Sequence, residues 1–278
     1  PPLLHIIISK IGALFQISNL DVFIKIAPYW LLIVIPIFYL LVYKIFNWQV
    51  AFWATLIYIL VSNSPFLNFT DAQYSDILAY NIIGPFYILF FISAITNKKY
   101  WHLIIAFMIF ALMLSAHHLS SVLLFLTSLI SLIIYAIYNY LYNKEEFKRS
   151  VTVLAIFTGV SFGFLLLAKL FFPSVINLLL NSSLHLKVGA IDPTRVVIDY
   201  SNMSTLLSPF LEFIGFAGLI ALMRKNEKCF FINLFIIVWI IVCWLLSRSS
   251  IFVLPQRIFR EIAFPLSISA GYFIYISI

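Results

Sequence analysis

The chain has 278 residues, of which 64% are hydrophobic and only 10% are charged, and its mean hydropathy is +1.09. An ordinary soluble domain has about 25% charged residues and cannot bury this much Leu, Ile and Phe, so the composition excludes a soluble fold. The net charge of +7 comes from bases scattered through short loops, which argues against a nucleic-acid partner.

Apolar runs of about 20 residues recur along the chain, and each is long enough to cross a hydrocarbon core of about 30 Å. Lipid offers backbone groups no hydrogen-bond partners, so a spanning segment must be a helix or part of a closed β-barrel. The alternation of apolar and polar residues typical of a β-barrel is missing, so helical spans are predicted. The fold class is therefore all-α, a polytopic transmembrane bundle forming one domain over residues 1–278. An N-terminal juxtamembrane helix is predicted at 3–18, with nine spans at about 24–44, 49–62, 77–95, 101–116, 119–141, 151–172, 206–223, 229–246 and 262–278.

The ends of the sequence suggest that it continues on both sides. It begins at Pro1 without an initiator Met and stops inside an apolar run at Ile278. We therefore expect a segment of a longer protein, with at least one more span before it.

The connectors between spans predict the orientation. One set carries nine basic and three acidic residues, whereas the remainder of the chain carries eight bases and seven acids. The positive-inside rule places the first set in the cytoplasm. The segments 62–76, 115–121, 173–205 and 247–261 then face the other side, and 173–205 is a long extracytoplasmic loop.

Asp71 and Asp76 lie in the first of these outer segments, with Tyr74 between them. Carboxylates at a membrane surface can bind a divalent cation such as Mg²⁺ or Mn²⁺, or accept a proton from an attacking hydroxyl. The alternative is that they solvate a loop, with Asp76 capping the span that begins after it.

His117 and His118 interrupt an apolar stretch, close to Ser120. Imidazoles at the end of a span can bind phosphate, shuttle a proton or ligate a metal. Adjacent helical positions point about 100° apart, so the two rings do not form a chelate by themselves. A polar hairpin between two spans is the simpler explanation.

Arg257 and Arg260 share one helical face just before the last span. Guanidinium groups at an outer interface suit a phosphate or pyrophosphate. The alternatives are an ion pair between Arg257 and Glu261, or contact with lipid headgroups. Glu212 is a further acid inside a predicted span, where it is expected to face the protein interior or to cap a kink.

Three stretches in this order, "PPLLHIIISKIGALFQI" (1–17), "SNSPFLNFTDAQYSDILAYNIIGPFYILFF" (62–91) and "RIFREIAFPLSISAGY" (257–272), resemble the GT-C superfamily of membrane glycosyltransferases. "AHHLSSVLLFL" (116–126) resembles a His-bearing hairpin of related members. The family's essential Asp lies in a first outer loop that would precede residue 1.

The resemblance implies sugar transfer at the outer leaflet of a cell membrane from a polyprenyl-phosphate donor to a glycan, lipid or protein acceptor. It implies that Asp71 or Asp76 assists acceptor or metal binding and that His117 or His118 lines the cavity. Arg257 and Arg260 would hold the departing lipid phosphate.

Two other classes of function remain open. A transporter or flippase would place charge near the bilayer midplane, where Glu212 is the candidate, and would show inverted repeats, which this sequence lacks. A non-catalytic assembly subunit is the third hypothesis. The transferase hypothesis requires the aspartates, histidines and arginines to converge on one extracytoplasmic cavity.

Overall fold

The computed structural model describes residues 2–25, 29–63, 74–171, 207–223, 230–248 and 255–278. All the regular elements in these ranges are helices. They are α1 (Pro2–Phe15), α2 (Asn19–Lys25), α3 (Trp30–Ile45), α4 (Trp48–Leu60), α5 (Tyr74–Thr96), α6 (Trp101–Ala116), α7 (His118–Tyr142), α8 (Lys144–Phe171), α9 (Pro209–Leu222), α10 (Phe230–Ser247), α11 (Pro255–Glu261) and α12 (Ala263–Ser277).

Every apolar run predicted as a span contains one helix at nearly the predicted position. Four helices in the described ranges are long and apolar enough to cross a membrane: Tyr74–Thr96, His118–Tyr142, Lys144–Phe164 and Phe230–Ser247. The helices in the other five predicted spans have 13 to 16 residues. At 1.5 Å per residue a 16-residue helix is about 24 Å long, so nine complete spans are not confirmed.

The outer surface of the bundle is apolar. Phe213, Ile220 and Met108 are 78%, 67% and 65% exposed, although side chains of this size are normally buried in a soluble fold. Lipid is the solvent that makes such exposure favourable, which agrees with a multi-pass membrane protein.

Small residues bring α9, α12 and α4 into close contact. A Cβ added at Gly218 would overlap the backbone of Ser269, and one at Gly271 would lie 2.7 Å from Ala54 Cα. The Ser269 hydroxyl donates a hydrogen bond to the carbonyl of Gly215 at 2.8 Å. In a membrane the hydrophobic effect does not drive helices together, because lipid tails are as apolar as the side chains. Close backbone packing and interhelical hydrogen bonds of this kind hold the helices together instead.

Aromatic rings fill the centre of the bundle between α3, α4, α5, α10 and α12. The Phe264 ring lies 4.5 Å from Phe38, 5.4 Å from Tyr58, and 5.5 Å from both Tyr80 and Trp239, mostly edge to face. Such pairs add about 0.5–1.5 kcal/mol each beyond the area they bury. They fix the positions of the two tyrosines that extend toward the polar cluster described below.

Helix α5 contains a π-helical segment at Ile77–Ile83. Its wider turn ends where the Gly84 N–H bonds to the Ala79 carbonyl, five residues back. The five residues from Ile77 to Asn81 are all buried, which an α-helix with one exposed face would not allow. Tyr80 and Asn81 therefore both point into the bundle. π segments of this kind are frequent at functional sites.

Replacing Gly218 with Ala tests the small-residue contact. The added methyl group would collide with the Ser269 backbone, and we expect a loss of about 1–3 kcal/mol in unfolding free energy. Gly159→Ala is the matched control, since a Cβ there has no atom within 4 Å and Ala favours a helix. Thermal unfolding in detergent measures both variants, and equal midpoints would contradict the proposed packing.

Candidate functional site

Four polar side chains from three distant parts of the chain meet inside the bundle. Asp76 begins the π segment of α5, His117 and Ser120 lie at the junction of α6 and α7, and Glu261 ends α11. They are 2%, 6%, 1% and 5% exposed. We call this group the acid–histidine cluster.

A direct contact between the His117 ring and the Asp76 carboxylate forms the centre of the cluster. His117 Nδ1 lies 3.1 Å from Asp76 Oδ1. A carboxylate only accepts hydrogen bonds, so the shared proton lies on Nδ1. The backbone N–H of Ser120 also points at Nδ1, but at 3.5 Å it is the longer and weaker contact. This tautomer leaves Nε2 as the proton-accepting nitrogen of the ring.

Ser120 joins the two acids. Its hydroxyl donates to Asp76 Oδ1 and lies 2.9 Å from His117 Nδ1. The same oxygen is 3.4 Å from Glu261 Oε1. One hydroxyl therefore contacts all three ionisable groups and fixes their relative positions.

Glu261 is the second acid of the cluster and is 5% exposed. Burial, followed by the charge of Asp76 and a hydrogen bond with it, raises the pKa of the Glu261 carboxyl well above its usual range. Glu261 therefore keeps its proton to a higher pH than an ordinary glutamate does. The Tyr80 hydroxyl donates to the Glu261 backbone carbonyl at 2.8 Å, which ties α5 to the end of α11.

The local sequence explains why these side chains converge. The α6 helix ends at Ala116, and His117 has an extended backbone (φ −158°, ψ 116°) before α7 begins at His118. This break turns His117 inward and His118 outward. The expectation that Asp76 caps the following helix is wrong, because its backbone is helical and its side chain makes no capping bond. The carboxylate contacts His117 and Ser120 instead.

A second buried polar contact involves Asn81, five residues after Asp76 on α5. The Asn81 amide donates to the Tyr58 hydroxyl at 2.5 Å, which links α5 to α4. Because Tyr58 also packs against Phe264, this bond joins the polar region to the aromatic centre.

An apolar cleft of about 390 Å³ adjoins the cluster between α9, α10, α11 and α12. Phe259 and Ile262 line it, on either side of the Arg260–Glu261 pair. Glu212, expected inside a span, lies in the first turn of α9 and is half-buried beside the same cleft. The cleft therefore borders α11, the helix that ends at Glu261.

Cationic groups surround α11. Arg260 is buried at 8% exposure, Arg257 is half-buried, and the Arg248 guanidinium lies 5.9 Å from the centre of the Phe259 ring. The alternative of an Arg257–Glu261 pair does not describe the Glu261 side chain, which faces Ser120 and Asp76.

The predicted site residues thus divide into three groups. Asp76, His117 and Arg260 are buried, and Asp76 and His117 are in direct contact. That the arginines share one cavity with them stays a prediction. His118 is exposed, with its ring centre 5.5 Å from that of His117, and Tyr74 packs edge-on against Trp30 at 6.2 Å. Asp71 and the loop at 173–205 lie outside the described residues.

A metal site on Asp76 does not fit the part of this end that the structure describes. Asp76 Oδ1 already accepts from Ser120 and faces the N–H of His117. Within the described ranges, no group of three His, Cys, Asp or Glu side chains is arranged to hold a metal ion. A contribution from Asp71 stays a prediction.

Sequence reasoning missed Glu261, Ser120 and Tyr80 as members of the cluster. Glu261 was considered only as a partner for Arg257, and Ser120 only as part of a polar hairpin. The sequence did indicate that Glu261 is buried, because it directly precedes an apolar run and an acid in that position is seldom exposed.

Comparison with known proteins places the chain in no group. No family model, no curated protein and no solved structure matches it.

Exchanging Glu261 for Gln tests the protonated state of this carboxyl. A group with a raised pKa keeps its proton in the folded protein after the unfolded chain has lost it, near pH 4.3. Stability from this group is therefore complete at acidic pH and falls as pH rises toward the raised pKa. We expect the melting temperature in detergent to fall between pH 5 and pH 9, and to fall less in Glu261→Gln. Parallel pH profiles would show that Glu261 is ionised in the folded protein.

Proposed function

We propose that this protein is an integral membrane glycosyltransferase that moves a sugar from a polyprenyl-phosphate donor to an acceptor hydroxyl at the extracytoplasmic face. The observation that carries the proposal is the buried Asp76–His117 dyad, together with an apolar cleft lined by Phe259 and Ile262, the chain neighbours of Arg260 and Glu261. A transferase of this kind needs a base beside an apolar channel and cations beside a phosphate.

The dyad supports the role of general base. Asp76 holds the proton of His117 on Nδ1, so Nε2 can accept a proton from an acceptor hydroxyl. A buried carboxylate beside an imidazole also stabilises the imidazolium formed by that transfer. The acceptor oxygen would bond to the anomeric carbon while the bond from that carbon to the phosphate oxygen breaks. The electron pair leaves with the lipid phosphate.

The cleft and the arginines support binding of the donor. Its apolar lining suits a polyprenyl chain, and a chain bound there would lie beside Phe259 of α11 and Ile262. Loss of the sugar changes the lipid phosphate from one negative charge to two. Fixed guanidinium groups such as Arg257 stabilise this developing charge.

Proton-coupled transport is the second candidate, favoured by one observation. A buried chain of Asp, His and Glu side chains is a common proton path in membrane transporters. Proteoliposomes distinguish the two functions: a transporter would move protons with a solute across the bilayer without consuming the donor lipid.

Asp76→Asn tests the dyad. Asn cannot stabilise an imidazolium, and we expect the rate of polyprenyl-phosphate release by the full-length protein to fall about 100-fold or more. The substrates are a panel of polyprenyl-phosphate hexoses and pentoses, and mass spectrometry detects the released lipid. Asp21→Asn is the matched control, because Asp21 is a partly exposed carboxylate that pairs with Lys25 on α2.

His117→Gln is a second test of the same proposal, because it keeps a side chain that can hydrogen-bond but removes the base. Both variants must melt within a few degrees of the wild type for their rates to be compared. Turnover near the wild-type rate in both well-folded variants would refute a base role for the dyad.

Arg257→Ala tests the phosphate contact. Because the charge on the phosphate grows as the bond breaks, we expect kcat to fall more than KM rises, by about 10–100-fold. Steady-state rates over a range of donor concentrations give both constants. A change confined to KM would indicate that Arg257 only helps the donor bind.

A further inference from the structure

A larger cavity, of about 580 Å³, lies at the opposite end of the bundle from the acid–histidine cluster. The end of α5, the last turns of α7, the first turns of α8 and the start of α10 form its walls. Charge counting in the connectors predicts that this end faces the cytoplasm. Its volume is within the range of sites that bind small molecules.

Aromatic side chains form one wall of this cytoplasmic cavity. Tyr138 stacks on Phe230 at 4.1 Å, and Tyr135 meets Phe231 edge to face at 5.0 Å. Tyr142 lines the cavity one turn further along α7. Tyrosines at the end of a span lie at the depth of lipid headgroups.

Two cations and one acid form the other wall. Glu146 is 3.0 Å from Lys98 and 2.8 Å from Arg149, so the wall keeps one net positive charge. Lys98 is 65% exposed, and exposed ion pairs contribute little to stability, so its ammonium can turn to another anion at small cost.

Arg149 is held more firmly than Lys98. Besides Glu146, it donates to the carbonyl of Ile95, which fixes the guanidinium at the wall. Its Nε is buried and has no hydrogen-bond partner among the described residues. A buried donor without a partner is destabilising, so an acceptor oxygen within reach of this nitrogen would stabilise the protein.

We propose that this cavity binds the phosphate headgroup of an anionic membrane lipid, with Lys98 and Arg149 on the phosphate and the tyrosines around the glycerol. Basic pockets between the cytoplasmic ends of membrane helices are suited to such headgroups. The aromatic wall and the depth of the cavity favour a lipid over a soluble anion, since a headgroup is already concentrated at that level. Binding there is independent of the glycosyltransferase proposal.

The experiment compares the full-length protein in nanodiscs of phosphatidylcholine with and without phosphatidylglycerol of the same acyl chains. We expect phosphatidylglycerol to raise the melting temperature saturably and to remain bound in native mass spectra. Glycerol 3-phosphate added to phosphatidylcholine nanodiscs separates the two sources of phosphate. A soluble anion that stabilises the protein as well as the lipid does would overturn the lipid assignment.

Two variants test whether the lipid binds in this cavity. We expect Lys98→Gln to weaken the phosphatidylglycerol effect about fivefold, in line with the contribution of one basic residue near an anionic surface. Arg149→Gln should weaken it further, although this variant also loses the bond to Ile95, so Lys98→Gln decides the test.

Lys44→Gln is the matched control. Lys44 is an exposed lysine predicted to lie on the same face of the membrane, and it does not line the cavity. It should retain the full effect of phosphatidylglycerol. Equal loss in Lys44→Gln and Lys98→Gln, or no phosphatidylglycerol effect in the wild type, would refute the site.

Discussion

The fold around the acid–histidine cluster depends on how the buried contact between Asp76 and His117 is satisfied. Asp76 and His117 lie inside a bundle whose other contacts are almost all apolar, and an isolated charge there would be expelled or neutralised. Ser120 and Glu261 complete the pair, and each comes from a different helix. The three chain segments must therefore be in place together before the buried carboxylate is tolerated.

The same requirement explains the irregular backbone at this end. A regular α-helix through residues 74–96 would expose part of the stretch from Ile77 to Asn81, whereas the π segment buries all of it. The break between α6 and α7 at His117 serves the same purpose by separating the two adjacent imidazoles. An irregular stretch in a membrane helix costs backbone hydrogen bonds. Two of the three contributing segments are irregular, which indicates that contact between the polar side chains outweighs this cost at this end of the bundle.

The sequence predicted the helices well and the cluster only in part. Hydropathy located every described span-like helix, because apolar length is a local property. The predicted span at 49–62 already indicated that α4, with 13 residues, is short. The π turn in α5 was not predicted, since it depends on packing in the folded bundle. Sidedness predicted that Asp76 and His117 belong together. The burial of Glu261 could be inferred from its position before an apolar run, but its contact with Ser120, 141 residues away, leaves no trace in residue spacing.

The π segment has a consequence for how this chain tolerates changes in length. A π turn is an α-helix with one residue too many, so deleting a single residue between Ile77 and Ile83 would restore a regular helix. That shortening would rotate everything before it by about 100° and carry the Asp76 carboxylate away from the imidazole. The part of α5 that follows would stay docked. Insertions and deletions between Ile77 and Ile83 therefore change only the rotation of the Asp76 end of α5 relative to the rest of the helix.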